Sequence, residues 1–163
     1  MQITRLRNTI KFNLSLWEIA KQLGVLRSGA NLYKREGSDN YFEEGKHLLG
    51  ECKGILGEIL YAHYCVITGR EYEMSTLVDV KAVSKEDFLI NGKFKVDVKT
   101  SWGDDKLYLV NKHQHDNPKG IDFYAFVHIK GDEFTVEHVP YDEVSTWTQY
   151  NFKTRAYGKK IVS

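Results

Sequence analysis

The pattern of hydrophobic and polar residues divides the chain into a helical first part and a strand-rich second part. Apolar residues recur at helical spacing over residues 15–26, and Gly24 is a candidate stop. The same spacing returns over residues 42–68 and ends at Gly69, although a break near Gly50 would divide this region into two shorter helices. The first 70 residues therefore predict two helical regions, with a loop between them at residues 28–40.

Beyond Gly69 the hydrophobic period falls to two, which predicts β-strands. The candidate strands are 76–81, 86–90, 93–100, 106–111, 123–130 and 133–139. Asn91-Gly92 is a strong signal for a two-residue hairpin turn, and Gly131-Asp132 is a weaker one. Residues 141–150 predict a short helix. This order predicts an α/β fold with a mixed central β-sheet flanked by α-helices.

Length and net charge restrict the possible domain organisation and partners but do not identify the function. The 163 residues predict one domain, with a helix and loop region at 1–40, a core at 42–140 and a helical or tail extension at 141–163. Twenty-three basic and 22 acidic residues leave a net charge of +1. That balance neither requires nor excludes a polyanionic partner, because nucleic-acid binding needs only a local basic groove.

The two cysteines, Cys52 and Cys65, fall in the same predicted helical region. Neither has a neighbour at zinc-finger spacing, so we expect buried, reduced thiols rather than a disulfide or a metal site. The chain also lacks a signal-peptide pattern and an apolar run of membrane-spanning length. These features predict a soluble, cytoplasmic protein.

One face of the second predicted helix is apolar. With residues placed every 100°, its stripe contains Cys52, Ile55, Leu56, Ile59, His63 and Val66. Glu58 lies on the flank of this stripe, and Glu51 is the alternative acid if the helix register differs. Gly54 and Gly57 lie nearby, where glycine costs about 1 kcal/mol relative to alanine. Two such glycines suggest a close approach of backbone or substrate.

Asp97 and Lys99 stand two residues apart on a predicted strand, so their side chains emerge on one face. Phe94, Val96 and Val98 face the opposite way, towards a core. Carboxylates with a lysine at a sheet edge suit a divalent cation and a polarised water. The alternative is a surface ion pair that contributes little to stability.

A further acid precedes the predicted turn, but the turn length decides which one. An ideal two-residue turn at Asn91-Gly92 sets Asp87 opposite Val96, which places Glu86 on the face of Asp97. A bulge or a longer turn would restore Asp87 to that face. We favour Asp87, with Glu86 as the rival.

Taken together, Gly57-Glu58, Asp87 and Asp97-Val98-Lys99 resemble the PD-(D/E)XK nuclease superfamily, over roughly residues 50 to 130. The resemblance implies a restriction-endonuclease-like core. It also implies that Asp87 and Asp97 bind Mg²⁺, with Mn²⁺ as a substitute, and that the Val98 carbonyl is a further ligand. Glu58 would reach the metal directly or through a bound water.

The same resemblance gives Lys99 one of two roles: orienting or activating the attacking water, or stabilising charge on the phosphate. Asp97 stands where this superfamily more often has glutamate, so the metal must lie closer to the strand.

Several other residues are candidates for contact with nucleic acid. They are Trp102, Lys106, Lys112, Gln114 and Lys119, with Arg27, Lys34 and Arg35 as a possible basic arm. For Trp102 a half-buried place in the core is an equal alternative, and the basic arm is alternatively a solvated connector. His113 and His115 suggest a weak metal site that lacks further ligands, and His128 and His138 are expected to be structural.

These features predict a Mg²⁺-dependent deoxyribonuclease that cuts DNA internally with a metal-activated water. Paired cuts on a duplex would require a homodimer, because one chain carries one site. Two alternatives stay open: a catalytically inactive nucleic-acid-binding protein on the same scaffold, and a resolvase specific for branched junctions.

Overall fold

The computed structural model describes residues 9–32, 46–74, 86–117, 120–152 and 155–161. The strand expected at 76–81 and the roles expected for Lys34, Arg35 and Lys119 lie outside these residues. The side chains of Arg27 and Glu51 also lie outside the described part.

Two long helices near the start of the chain are followed mainly by strands, with two short helices among them. In order they are β1 (Ile10–Lys11), α1 (Ser15–Leu32), α2 (Lys46–Ile67), β2 (Tyr72–Met74), β3 (Phe88–Ile90), β4 (Phe94–Trp102), β5 (Leu107–Asn111), α3 (Lys112–Asp116), β6 (Phe123–Lys130), β7 (Glu133–Pro140), α4 (Tyr141–Val144), β8 (Thr148–Asn151) and β9 (Arg155–Lys160). No described helix is long and apolar enough to cross a membrane.

The main sheet has six strands in the order β1-β7-β6-β4-β3-β2. Strands β4 and β6 are parallel, and the other neighbours are antiparallel. The parallel pair requires a crossover, which β5 and α3 provide. The predicted α/β class with a mixed sheet is therefore confirmed.

A second sheet, in the order β5-β9-β8, was not expected from the sequence. The prediction of a helical or tail extension at 141–163 was wrong beyond the four-residue helix α4, since β8 and β9 follow. Residues 156–158 of β9 are buried in succession, so the strand shows no alternation of apolar and polar positions. It is defined by pairing with β5, far away in sequence.

Helix α1 continues past Gly24, where the sequence predicted a stop. Gly24 packs on α2: a Cβ atom there would lie 2.5 Å from the Cys52 sulfur. Gly24 therefore allows α1 to pack closely on α2 and does not end the helix.

The apolar face of α2 is partly the predicted one. Cys52, Ile55 and Leu56 are buried, whereas His63 and Val66 are exposed, and these last two assignments were wrong. The buried face continues instead through Leu60, Tyr61, Tyr64 and Cys65. Tyrosines enter the core here because a partner satisfies the hydroxyl: the Tyr61 oxygen lies 2.7 Å from His138 Nε2.

Both cysteines are buried and unbridged, as expected. Burial raises the pKa of the Cys65 thiol to about 11, so this thiol stays protonated at neutral pH. The expected end of α2 is also confirmed, because Gly69 follows with a φ of 70°.

His138 of β7 is a buried histidine whose Nδ1 has no hydrogen-bond partner in the described structure. Its ring also packs beside the Tyr64 ring, with the centroids 5.7 Å apart. Burial, with a contribution from the positive charge of Arg70, lowers the pKa of His138 to about 3. The residue is therefore a neutral part of the core.

Protonation of His138 on unfolding should make stability depend on pH. The unfolded histidine takes up a proton below about pH 6.5 and the folded one only near pH 3, so stability falls as pH decreases through that window. We expect His138 to contribute a loss of about 2 kcal/mol at pH 5 relative to pH 7, beside the contributions of other titrating groups such as Asp87. Urea unfolding of the wild type and His138→Leu from pH 4 to 7 measures it as the difference between their slopes. His113→Leu, at an exposed position, should keep the wild-type slope; an identical slope in both variants would refute the assignment.

Candidate active site at the β3–β4 hairpin

The β3–β4 turn is one residue longer than the sequence predicted. Ile90 pairs with Phe94, which leaves Asn91, Gly92 and Lys93 in the turn. Asn91 and Gly92 have φ values of 54° and 65°, a conformation that asparagine and glycine tolerate best. The Lys93 N–H closes the turn on the Ile90 carbonyl at 3.0 Å.

This turn length decides which acid meets Asp97. Phe88 pairs with Val96, and extending this register by one residue sets Asp87, which precedes β3, opposite Asp97. The Asp87 N–H donates to the Val96 carbonyl at 3.0 Å, and Asp87 Oδ2 accepts from the Val98 N–H at 2.7 Å. The structure therefore places Asp87 beside Asp97, and the reason for preferring Glu86 is removed.

Asp97 and Lys99 form an ion pair, with 3.0 Å between Lys99 Nζ and Asp97 Oδ2. Their side chains are only 21% and 26% exposed, so the pair is not an ordinary surface bridge. Tyr124 of β6 shelters it, with its ring centroid 6.0 Å from Lys99 Nζ. The expected core face of β4 is confirmed by the burial of Val96 and Val98.

Helix α2 packs closely on β4 at Gly57. A Cβ atom on Gly57 would lie 1.9 Å from the Thr100 hydroxyl oxygen, so only glycine fits. The contact fixes the neighbouring Glu58 close enough for its charge to raise the pKa values of both Asp87 and Lys99. Gly54, by contrast, has open space around it.

Burial and neighbouring carboxylates shift the pKa values of Asp87 and Lys99. Burial raises the pKa of Asp87 to about 9, aided by the charge of Asp97, a hydrogen bond to Asp97 and the charge of Glu58; the Val98 N–H opposes the shift. Burial alone would lower the pKa of Lys99, but these acids outweigh it and raise that pKa. Without a cation the site therefore holds a protonated Asp87 and a charged lysine.

These residues fit a magnesium ion in part. No three His, Cys, Asp or Glu side chains form a ready-made cage within the described ranges. Magnesium, however, retains several waters and needs only one or two carboxylates, which Asp87 and Asp97 supply. Burial is the main cause of the raised pKa of Asp87, and the negative charges of Asp97 and Glu58 add to it; a bound cation would oppose both effects. Glu58 and the Val98 carbonyl stay predicted ligands.

Trp102 lies on the helix side of the sheet, away from Asp97. Its ring centroid is 5.2 Å from that of Trp17, and Lys53 Nζ lies 5.5 Å above it. The residue is half-buried against the main core. Of the two sequence interpretations, this placement matches the core tryptophan and does not support contact with nucleic acid.

The remaining predicted contact residues separate into two places. Lys106 lines a cavity of about 270 Å³ together with Lys99 and Ser101. Lys112 lines a different cleft of about 410 Å³ and forms an ion pair with Asp116. Gln114 is an exposed residue of α3, where its N–H donates to Asn111 Oδ1 at 3.0 Å. Only Lys106 is thus brought next to the Asp97–Lys99 pair.

His113 and His115, the weak metal site expected from the sequence, are both engaged in hydrogen bonds within the protein. Both ring nitrogens of His115 bond to hydroxyls, Nδ1 to Tyr124 at 2.9 Å and Nε2 to Ser145 at 2.8 Å. Burial lowers the pKa of His115 below its usual value. His113 is exposed and bonds with Asn117. Neither arrangement suits a metal.

Tyr124 is the site residue that sequence reasoning missed. It pairs with Asp97 across the parallel β4–β6 contact, and His115 fixes its hydroxyl. The parallel partner of a strand cannot be read from local periodicity, so only the fold reveals this position.

Comparisons of this chain with protein-family models, curated proteins and solved structures gave no match. The resemblance to the PD-(D/E)XK superfamily therefore stays a prediction. What supports it is the placement of Asp87, Asp97 and Lys99 at one hairpin, with Glu58 on the adjoining helix.

Proposed function

We propose that this protein is a magnesium-dependent deoxyribonuclease that hydrolyses phosphodiester bonds at the β3–β4 hairpin. The observation that carries the proposal is the placement of Asp87, just before β3, beside Asp97 of β4, with Lys99 Nζ 3.0 Å from Asp97. Two acids and one lysine in a sheltered position suit metal-assisted hydrolysis of a phosphate ester.

The fold agrees with this proposal. Helix α2, the antiparallel strands β2–β3–β4 and the parallel strand β6 are compatible with a restriction-endonuclease-like core. The glycine contact between α2 and β4 brings Glu58 to the acids. The assignment of this α/β fold to the restriction-endonuclease-like class is part of the proposal.

In the proposed reaction the carboxylates of Asp87 and Asp97 hold the metal at the hairpin, and the Val98 N–H orients Asp87. Magnesium, when bound, supplies positive charge to the phosphate and lowers the pKa of a coordinated water. The raised pKa of Lys99 keeps its ammonium group protonated at neutral pH. Lys99 therefore acts as a donor that orients water and stabilises charge on the phosphate, rather than as a general base.

Cleavage assays with the whole chain test the proposal. Supercoiled plasmid, linear duplex, single strands and four-way junctions are incubated with Mg²⁺, Mn²⁺ or EDTA. We expect metal-dependent cleavage that falls by about 10³-fold or more in Asp97→Asn and Lys99→Met. Asp132→Asn and Lys21→Met, at exposed positions away from the hairpin, are the matched controls and should keep activity.

Cleavage that survives in Asp97→Asn, or a folded wild-type protein that cuts no substrate in either metal, would refute the proposal. Preference for the junction would identify a resolvase. Binding without cleavage would identify an inactive nucleic-acid-binding protein. Because one chain carries one such hairpin, double-strand cuts imply a homodimer, which sedimentation of the active protein would detect.

A further inference from the structure

A second, larger cavity of about 800 Å³ lies beyond the carboxyl end of β4. The β4–β5 turn at 103–107 forms one wall, and β6, β7 and the second sheet form the others. We call it the inter-sheet cavity because parts of both sheets line it. The lining side chains that the argument uses are Lys106, His128, Lys130, Thr135, Tyr150 and Lys160. Its volume falls in the range of sites that take small organic ligands.

This cavity adjoins the hollow beside Lys99. Asp105, Lys106 and Leu107 line both, so the two spaces share one wall. Ser101, two residues beyond Lys99 on β4, lies with its hydroxyl oxygen 2.7 Å from His128 Nδ1. The inter-sheet cavity therefore lies next to the Lys99 site, on the other side of the wall formed by residues 105–107.

Lysines and acids line the cavity in equal number, and the lysines are the groups that would hold a phosphate. Lys106, Lys130 and Lys160 line it, and none of them forms an ion pair with another described residue. Of the acids in the same wall, Asp105 is engaged, since its Oδ2 accepts from the Trp102 N–H at 2.8 Å. Asp104 and Glu133 also line the cavity. Lysines without an acidic partner are available to a phosphate.

The opposite wall is aromatic and rigid. Gly158 of β9 leaves room for the Tyr150 ring: a Cβ atom there would lie 2.7 Å from a ring carbon. Phe152 stacks on Tyr150 with ring centroids 5.6 Å apart and planes 6° apart. A tyrosine fixed in this way offers a flat surface to a base.

From these features we propose that the inter-sheet cavity binds a nucleoside phosphate, with its phosphate on the lysines and its base against Tyr150. Resting on the proposed nuclease function, we assign this nucleoside phosphate to the strand being cut, next to the phosphate at Lys99. The cavity thus selects the nucleotide beside the cleavage point.

Methyl-detected NMR in EDTA tests the cavity without catalysis. The whole chain is titrated with a deoxynucleoside 5′-monophosphate, a short single-stranded oligonucleotide, the unphosphorylated nucleoside, or inorganic phosphate. We expect the two nucleotide ligands to shift the methyl signals of Leu107, Thr135 and Ile161, which line the cavity, and to leave Ile55 of the helical core unchanged. Lys130→Ala and Lys160→Ala should each weaken binding about tenfold, and Lys21→Ala on α1 should not.

Shifts with both nucleotide ligands mean that the cavity accepts nucleoside phosphates in general, and shifts with the oligonucleotide alone mean that it accepts them only as part of a strand. No shift with either ligand, or equal affinity in the lysine variants, would overturn the proposal. Failure of cleavage would leave these shifts intact, whereas failure of binding would leave metal-dependent cleavage intact, so the two proposals fail separately.

Discussion

Asp87→Asn is expected to abolish metal-dependent cleavage and at the same time to stabilise the metal-free protein. Asparagine retains an oxygen that accepts from the Val98 N–H but carries no charge beside Asp97. The acid has a raised pKa of about 9, so its contribution to stability is lost as pH rises from about 4 to 9. Near pH 7 we expect a gain of about 2–4 kcal/mol in the free energy of unfolding.

Urea unfolding in EDTA at pH 5, 7 and 8.5 measures this gain, which should grow with pH. Asp132→Asn, which removes the charge of an exposed turn acid, is the control and should change little. If Asp87→Asn were less stable than the wild type at every pH, burial and the neighbouring acids would not be raising the pKa of Asp87. A substitution that lowers activity and raises the free energy of unfolding is typical of a residue that is retained for function.

Gly57→Ala is expected to destabilise the protein by about 2–4 kcal/mol, because the new methyl group would overlap the Thr100 hydroxyl. Gly54→Ala is the matched control on the same helix. Open space surrounds Gly54, so alanine there should stabilise α2 by up to about 1 kcal/mol. Thermal and urea unfolding of the two variants give the comparison.

The double variant Gly57→Ala/Thr100→Ala tests whether overlap with the Thr100 hydroxyl causes the loss of stability. Thr100→Ala removes the hydroxyl that would lie 1.9 Å from the alanine Cβ and leaves a methyl carbon 3.0 Å away, so it should recover part of the loss in Gly57→Ala. Cleavage should fall with stability in Gly57→Ala, since Glu58 moves with the helix. If Gly57→Ala were as stable as Gly54→Ala, the contact between α2 and β4 would not be tight.

Local pattern was enough to predict the parts of the site that lie close together in sequence. The Asp97–Lys99 spacing placed both side chains on one face of β4, and the opposite placement of Val96 and Val98 followed from the same alternation. The flanking position of Glu58 followed from helical spacing. These inferences need only the period of a strand or a helix.

Contacts between distant parts of the chain were beyond such reasoning. The pairing of β5 with β9 joins residues about 50 positions apart, and nothing local in β9 marks it as a strand. Tyr124 reaches Asp97 only through the parallel β4–β6 contact. On α2 the buried face moved towards Tyr61 and Tyr64 because His138 satisfies a tyrosine hydroxyl from β7.

The three-residue turn of the β3–β4 hairpin makes chain length a constrained property of this segment, in addition to the residue types at Asn91 and Gly92. Deleting one residue from 91–93 would move every β3 side chain to the opposite face of the sheet. Asp87 would then enter the core and Phe88 would enter the site, which no single substitution in the turn achieves. Lineages of this protein would therefore tolerate exchange of exposed Lys93 but purge insertions and deletions there.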